Sequence, residues 1–414
     1  MESTFAFLNP EPVFQGSPHG GADDGYLRGL RVALQPSISV RDWPAEAGSV
    51  ALSGFTALED ATVVQRLRQA GAYLRGYTRM SEFGFGLGGG EAGAALAEGA
   101  DIELVLDLMG ESRAAAARWK VSAFKPSYSL VSRLGIVGLI PSMECCGLVA
   151  PDLGTIRKTL QTVAGPDDLD FSLLDEETPD LSARTIDPAA TTVGLIREAA
   201  DGLSTERQEA FHTSARYLES RGFTLKELSL PDFALFSLVH RIIGSVEASS
   251  ATGRYDSVRY GPRAPGARNW NEMYLRSRDA AFGTFLKSFL LQGAFFQFNR
   301  YEAFEAACRI RAQLVTEMAN LCLRAEYLLL PTPQDTPPGP TVGAPADRPA
   351  SLSATYAQFD STLFANVTGQ PALYLPPTAD GTRPGFQLSG AALSDGALLS
   401  LGEHLLSDAN GEEW

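Results

Sequence analysis

The order of apolar and polar positions along the chain is that of a protein built from alternating strands and helices. Residues 29–40 (GLRVALQPSISV) read as a strand running into a turn. Over 61–74 (ATVVQRLRQAGAYL), Val63, Val64, Leu67, Ala70 and Leu74 recur at helical spacing. This predicts an amphipathic helix with Asp60 as its N-cap and Gly71 as a late weak point. A glycine-rich segment follows (FGFGLGGGEAGAALAEG, 83–99). IELVLDL (102–108) then reads as a buried strand that ends in a tight turn at Met109, Gly110 and Glu111. Strand, glycine turn, helix and strand in succession is the rhythm of an α/β sheet.

Further along, the acidic run 166–180 reads as a solvated surface connection and VGLIREA (193–199) as a strand. Residues 204–222 predict a helix capped by Ser204, with Glu206 nearby, and ended by Gly222. Residues 231–320 read as mostly helical, broken by a Gly/Pro-rich loop at 261–267. YLLLPTP (327–333) is a strand, and 336–351 a flexible loop. PALYLPP and GFQLSG are closing strands before a last helix, ALLSLGEHLLSDA. No internal repeat is present. The expected architecture is one large α/β domain over 1–414. It has a mixed twisted sheet with helices on both faces and a helical insertion at approximately 200–320.

Composition narrows the function. A chain of 414 residues with 44% hydrophobic content supports a large core. The net charge of −15 offers no basic footprint for nucleic acid. Cys145, Cys146, Cys308 and Cys322 form no C-x-x-C pair, and the histidines (His19, His212, His240, His404) are scattered. This pattern argues against zinc, and with no nucleotide motif the expectation is no metal and no cofactor. The start, MESTFAFLNPEP, lacks a charged region followed by an apolar run, and no stretch approaches the roughly 20 apolar residues of a membrane span. A cytoplasmic protein is expected.

Several segments carry a resemblance. They are residues 59–83 (EDATVVQRLRQAGAYLRGYTRMSEF), 124–147 (FKPSYSLVSRLGIVGLIPSMECCG), 247–261 (EASSATGRYDSVRYG), 282–314, 364–377 (FANVTGQPALYLPP) and 385–393 (GFQLSGAAL). The chain resembles the amidase-signature hydrolases, most of all the A (glutaminase) subunit of aspartyl/glutamyl-tRNA amidotransferases. The resemblance implies an amidase-signature fold shortened at its N-terminus. It also implies a Lys-Ser-Ser catalytic triad, in which a bridging serine relays the nucleophile's proton to a deep lysine. A hydroxyl needs such a base to attack an amide, and backbone N–H groups of the turn stabilise the oxyanion.

On that pattern the triad is missing. The lysine of the family's G-x-P-V-x-V-K-D stretch is matched by Gln35 in GLRVALQP, and the first lysine of the chain is Lys120. Glutamine cannot take up a proton at neutral pH. The bridging serine falls at Leu87 or Gly88, at the head of a shortened loop that continues through Gly89 and Gly90, and no serine lies between Ser81 and Ser112. In the family's T-D-T-G-G-S-I-R turn, alignment on Asp107, Gly110, Arg113 and Lys125 puts Glu111 at the nucleophile, either as a remnant bonded to the turn's N–H groups or as a carboxylate suited to acid/base work. Alignment on Gly99 puts Ser112 there instead. Met109 replaces a glycine of the turn, which argues against an intact oxyanion nest. Asp107 and Arg113 are expected to pair and hold the turn. Cys145 and Cys146 fall near the pocket wall as packing thiols, with no histidine close in sequence.

Three functions follow. The first is a non-hydrolytic pseudoenzyme that binds a small ligand or a partner protein, including subunits of the B and C type found with the family's glutaminase. In the second, Glu111 serves as general acid/base in a cyclisation, isomerisation or elimination. The third is an amide hydrolase using Ser112.

Overall fold

A computed structural model describes residues 3–10, 26–87, 92–173, 177–333 and 352–407. The predicted loop at 336–351 and the glycines Gly88, Gly89 and Gly90 lie outside the described residues.

Among the described residues, eleven strands join in one mixed sheet. In chain order they are β1 (Phe5–Leu8), β2 (Arg31–Leu34), β3 (Tyr73–Thr78), β4 (Ile102–Asp107), β5 (Ser122–Lys125), β6 (Cys145–Ala150), β7 (Thr192–Ile196), β8 (Thr224–Leu228), β9 (Tyr327–Leu330), β10 (Ala372–Leu375) and β11 (Phe386–Gly390). Across the sheet the order is β1-β3-β2-β4-β6-β5-β10-β11-β9-β7-β8. Pairing is parallel within β3-β2-β4 and β9-β7-β8 and antiparallel elsewhere.

The helices are α1 (Thr62–Gln69), α2 (Glu111–Trp119), α3 (Leu153–Val163), α4 (Thr205–Ser220), α5 (Leu235–Ala251), α6 (Trp270–Ala281), α7 (Thr284–Phe298), α8 (Tyr301–Cys322), α9 (Leu352–Ala357), α10 (Leu363–Thr368) and α11 (Asp395–Ser407). Central strands are buried on both sides, so they read as apolar runs rather than as alternating ones. Their side chains still alternate between two cores. Leu329 and Leu373 join one with α1, α3, α4 and α11. Leu328, Leu330, Ala372 and Tyr374 join the other with α2, α5, α7, α8 and α10.

Two local expectations need correction. The first helix ends at Gln69, and Tyr73 and Leu74 belong to β3, paired with Arg31 and Val32. Its N-cap is Ala61 rather than Asp60, whose carboxylate instead accepts from the Arg41 N–H and pairs with Arg68. Ser204 does cap α4, accepting from the Arg207 N–H, and Gly222 follows that helix at φ 90°. The acidic connection is less free than a solvated run: Asp167 accepts from the hydroxyls of Thr62 and Ser132. The helices expected near 200–320 are α4 to α8, with strand β8 between the first two.

Candidate functional site

The site is built where β4 stops and α2 begins. Gly110 makes the turn, with φ 112°, and an added Cβ would overlap the Thr362 side chain. After it the run ESRAAAARW forms α2, whose alanines let the helix lie close on the sheet.

At this turn the chain meets its own side chains. The Glu111 carboxylate turns back so that Oε2 accepts from the N–H groups of Leu108 and Met109, both at 2.7 Å. Its other oxygen accepts from the Gly86 N–H at 3.3 Å. Met109 does not spoil the nest, contrary to expectation. Among the turn residues only Gly110 needs a left-handed backbone, so the N–H groups of Leu108 and Met109 still converge on one point. That point is filled by Glu111, which is only 2% exposed. Burial, and next the charge of Asp107, raise the Glu111 pKa to about 8 despite the stabilising N–H bonds.

Gln35 and Leu87 approach the same strand end. The Gln35 side-chain oxygen accepts from the Leu106 N–H at 2.8 Å, two residues before the Leu108 N–H that Glu111 holds. Leu87 is buried in the apolar core directly after Gly86. Gln35 and Glu111 thus both hold N–H groups at the end of β4, and Leu87 follows the Gly86 that Glu111 also touches.

The Ser112 hydroxyl donates to Asp107, and the residue has no exposed surface. A Cβ added at Gly147 of β6 would lie 2.7 Å from the Ser112 Cβ, so β6 packs directly on it. Asp107 and Arg113 form the expected ion pair, at 3.9 Å and fully buried. Asn366 bridges them, donating to Asp107 Oδ1 at 2.8 Å and accepting from Arg113 at 3.0 Å. Arg113 also donates to the Thr362 carbonyl. Cys145 pairs with Asp107 across β4 and β6, and burial pushes its thiol up to about 12, a packing thiol rather than a nucleophile.

Sequence reasoning missed His240. It reaches the turn from α5, with Nε2 2.9 Å from the Leu108 carbonyl and Nδ1 3.0 Å from the Tyr356 hydroxyl. A carbonyl can only accept, so Nε2 carries the proton and Nδ1 accepts from Tyr356. Burial lowers the His240 pKa to about 4 and keeps the ring neutral. Nothing near His240 in the sequence marks it, because its partners lie 132 and 116 residues away.

A separate groove of about 900 Å³ lies on the α1 side, lined by Thr62, Arg66, Leu134 and Asp167 among others, and by none of the turn residues. Among the described residues no group of three His, Cys, Asp or Glu could hold a metal ion, and no helix is long and apolar enough to cross a membrane.

Comparison with known proteins gives a consistent result. The family model described as Amidase matches residues 15–94 and 88–399. The A-type subunit of the glutamyl-tRNA(Gln) amidotransferase of Natronomonas pharaonis is 32% identical over 416 residues, covering 92% of this chain and 96% of that protein. The crystal structure of the corresponding protein of the same name from Thermotoga maritima superimposes with a TM-score of 0.72 at 21% identity, covering 92% of this chain and 83% of that one. The native peptide amidase of Stenotrophomonas maltophilia does so with a TM-score of 0.71 at 22% identity, covering 94% and 84%. At those identities the two structures speak for the fold.

Proposed function

This chain belongs to the amidase family, and from that premise we propose that it is a member without amide-hydrolysing activity, acting by binding a small ligand or a partner protein in the cytoplasm. One observation carries the reading: the Glu111 carboxylate occupies the N–H groups of Leu108 and Met109. An oxyanion forming in an acyl transfer needs such donors free and aimed at it. Here they already hold a side chain of the chain itself.

The missing base supports the same reading. Gln35 is bound to the Leu106 N–H and has no proton-accepting nitrogen, and Leu87 has no proton to relay. Ser112 sits on Asp107 beneath β6, out of reach of a carbonyl. The relatives are named as one component of an amidotransferase, which makes a partner of the B or C type the first protein to look for. The purified protein should release no ammonia from glutamine or from a simple aryl amide. Turnover above the protein-free background, lost in the Ser112→Ala variant, sinks the proposal. Co-purification from the native host should bring down a second polypeptide; repeated recovery without one counts against a partner of this type.

A second reading rests on the Glu111 pKa of about 8, which keeps a carboxylic acid at the turn near neutral pH. In that case Glu111 would transfer a proton in a cyclisation, isomerisation or elimination, and Glu111→Gln would abolish the reaction while the fold survives. Unchanged turnover of an identified substrate by that variant removes this reading.

A further inference from the structure

Helix α7 (TFLKSFLLQGAFFQF) is mostly apolar, and its apolar side chains lie on more than one face. Such faces are normally covered. Its inner face is covered: Leu286, Phe289, Leu290 and Gly293 are buried against α5 and its surroundings. The outer face is not. Leu291, Phe295 and Phe298 are 72%, 48% and 78% exposed. They stand four and three residues apart, so they form one stripe along the helix.

Neighbours extend the stripe. Leu238 of α5, also exposed, lies one turn before Arg241, which donates to Gln292 beside Leu291. Exposed Tyr301 begins the next helix. Together these side chains leave on the order of 600 Å² of apolar surface in water, the upper end of what a monomer shows. Each side of a standard protein interface buries about 800 Å².

We propose that this face is where two copies of the chain associate, with their α7 helices packed antiparallel across a two-fold axis near Phe295. Two features favour a second copy over a charged partner. From Ser288 to Asn299 the sequence carries no charge, so the stripe is complementary to itself in the way an isologous interface requires. The charges sit at its two ends and each end holds both signs: Lys287 paired with Asp279, and Arg300 with Glu302. An antiparallel pairing lays the first end against the partner's second end, so that each mixed-sign pair faces another. Leu291 then packs near the partner's Phe298, at the i, i+4, i+7 spacing of a helix-pair seam.

Analytical ultracentrifugation of the full chain tests this, with Phe298→Asp as the stripe variant. Leu323→Asp, at an exposed apolar residue off the stripe, is the control. The wild type and the control should sediment as dimers, and Phe298→Asp should self-associate at least tenfold more weakly. In a Cys308→Ser background, Phe295→Cys should oxidise to a disulfide-linked dimer because the residue lies near the axis. A wild type that stays monomeric up to on the order of 100 μM overturns the proposal. So does a dimer that is indifferent to Phe298→Asp and does not cross-link through position 295. The inference is independent of whether the turn at Glu111 has catalytic activity.

Discussion

At the end of β4 the polar side chains of the turn have found partners inside the protein, whereas the outer face of α7 presents Leu291, Phe295 and Phe298 to water. The first region is the turn that the family resemblance matches to the nucleophile, and it is closed by its own residues. The second is a plain helix surface, and it is the one left without a cover. A buried polar network specifies one arrangement and is costly to disturb. An exposed apolar stripe costs the folded monomer little and gains free energy only when something packs on it. The contrast is the one expected of the proposed non-hydrolytic, self-associating protein.

Disturbing the closed region should have the largest effects on stability. Asp107→Ala strips partners from Ser112 and Asn366 and leaves the Arg113 guanidinium buried without its counter-charge. The expected loss is about 3–5 kcal/mol in urea unfolding. An unchanged midpoint would show that the network contributes little. Gly110→Ala forces a side chain into a left-handed turn and onto Thr362, for about 1–3 kcal/mol.

Glu111 and His240 should make stability depend on pH in opposite directions. The Glu111 pKa rises from 4.5 to about 8 on folding, so the folded state holds a proton that the unfolded chain releases. Its contribution is complete below pH 4.5 and is lost as pH rises toward 8. The His240 pKa falls from 6.5 to about 4, so its contribution is complete above pH 6.5 and is lost as pH falls toward 4. Urea midpoints from about pH 4 to 9 should show Glu111→Gln flattening the alkaline side and His240→Gln the acid side. Identical profiles for the two variants and the wild type would contradict these assignments.

The smallest effect on stability belongs to the open region. Phe298→Asp should change the unfolding free energy of the monomer by no more than about 0.5 kcal/mol, because the side chain makes few internal contacts. Its effect should appear in association alone. A loss of several kcal/mol in the monomer would mean that the stripe supports the fold itself.

Much of this fold is legible in the sequence. Strands β2, β4, β7, β9, β10 and β11 and the helical run after residue 231 follow from apolar runs, turn residues and caps. The first helix reads too long because Leu74 fits a helical period and a strand period equally, and only pairing with Val32 decides between them. The short strand β8 leaves no such signal: TLKEL is largely exposed and holds its place by parallel pairing with β7. The turn residues Asp107, Gly110, Glu111, Ser112 and Arg113 can be named because they adjoin one another. His240, Tyr356, Thr362 and Asn366 cannot, because they make contacts 116 to 259 residues away and local pattern carries no trace of them. Nor can residue type alone show that Glu111 folds back onto its own turn. That depends on where the N–H groups of Leu108 and Met109 point.

The most direct test of the closed turn is labelling of the purified protein with a fluorophosphonate, followed by peptide mapping. With Glu111 holding the nest and Ser112 hydrogen-bonded to Asp107 beneath β6, no adduct should form on any residue of the turn. A stoichiometric adduct on Ser112 would contradict the account, because it would require a serine released from Asp107 and N–H donors released from Glu111.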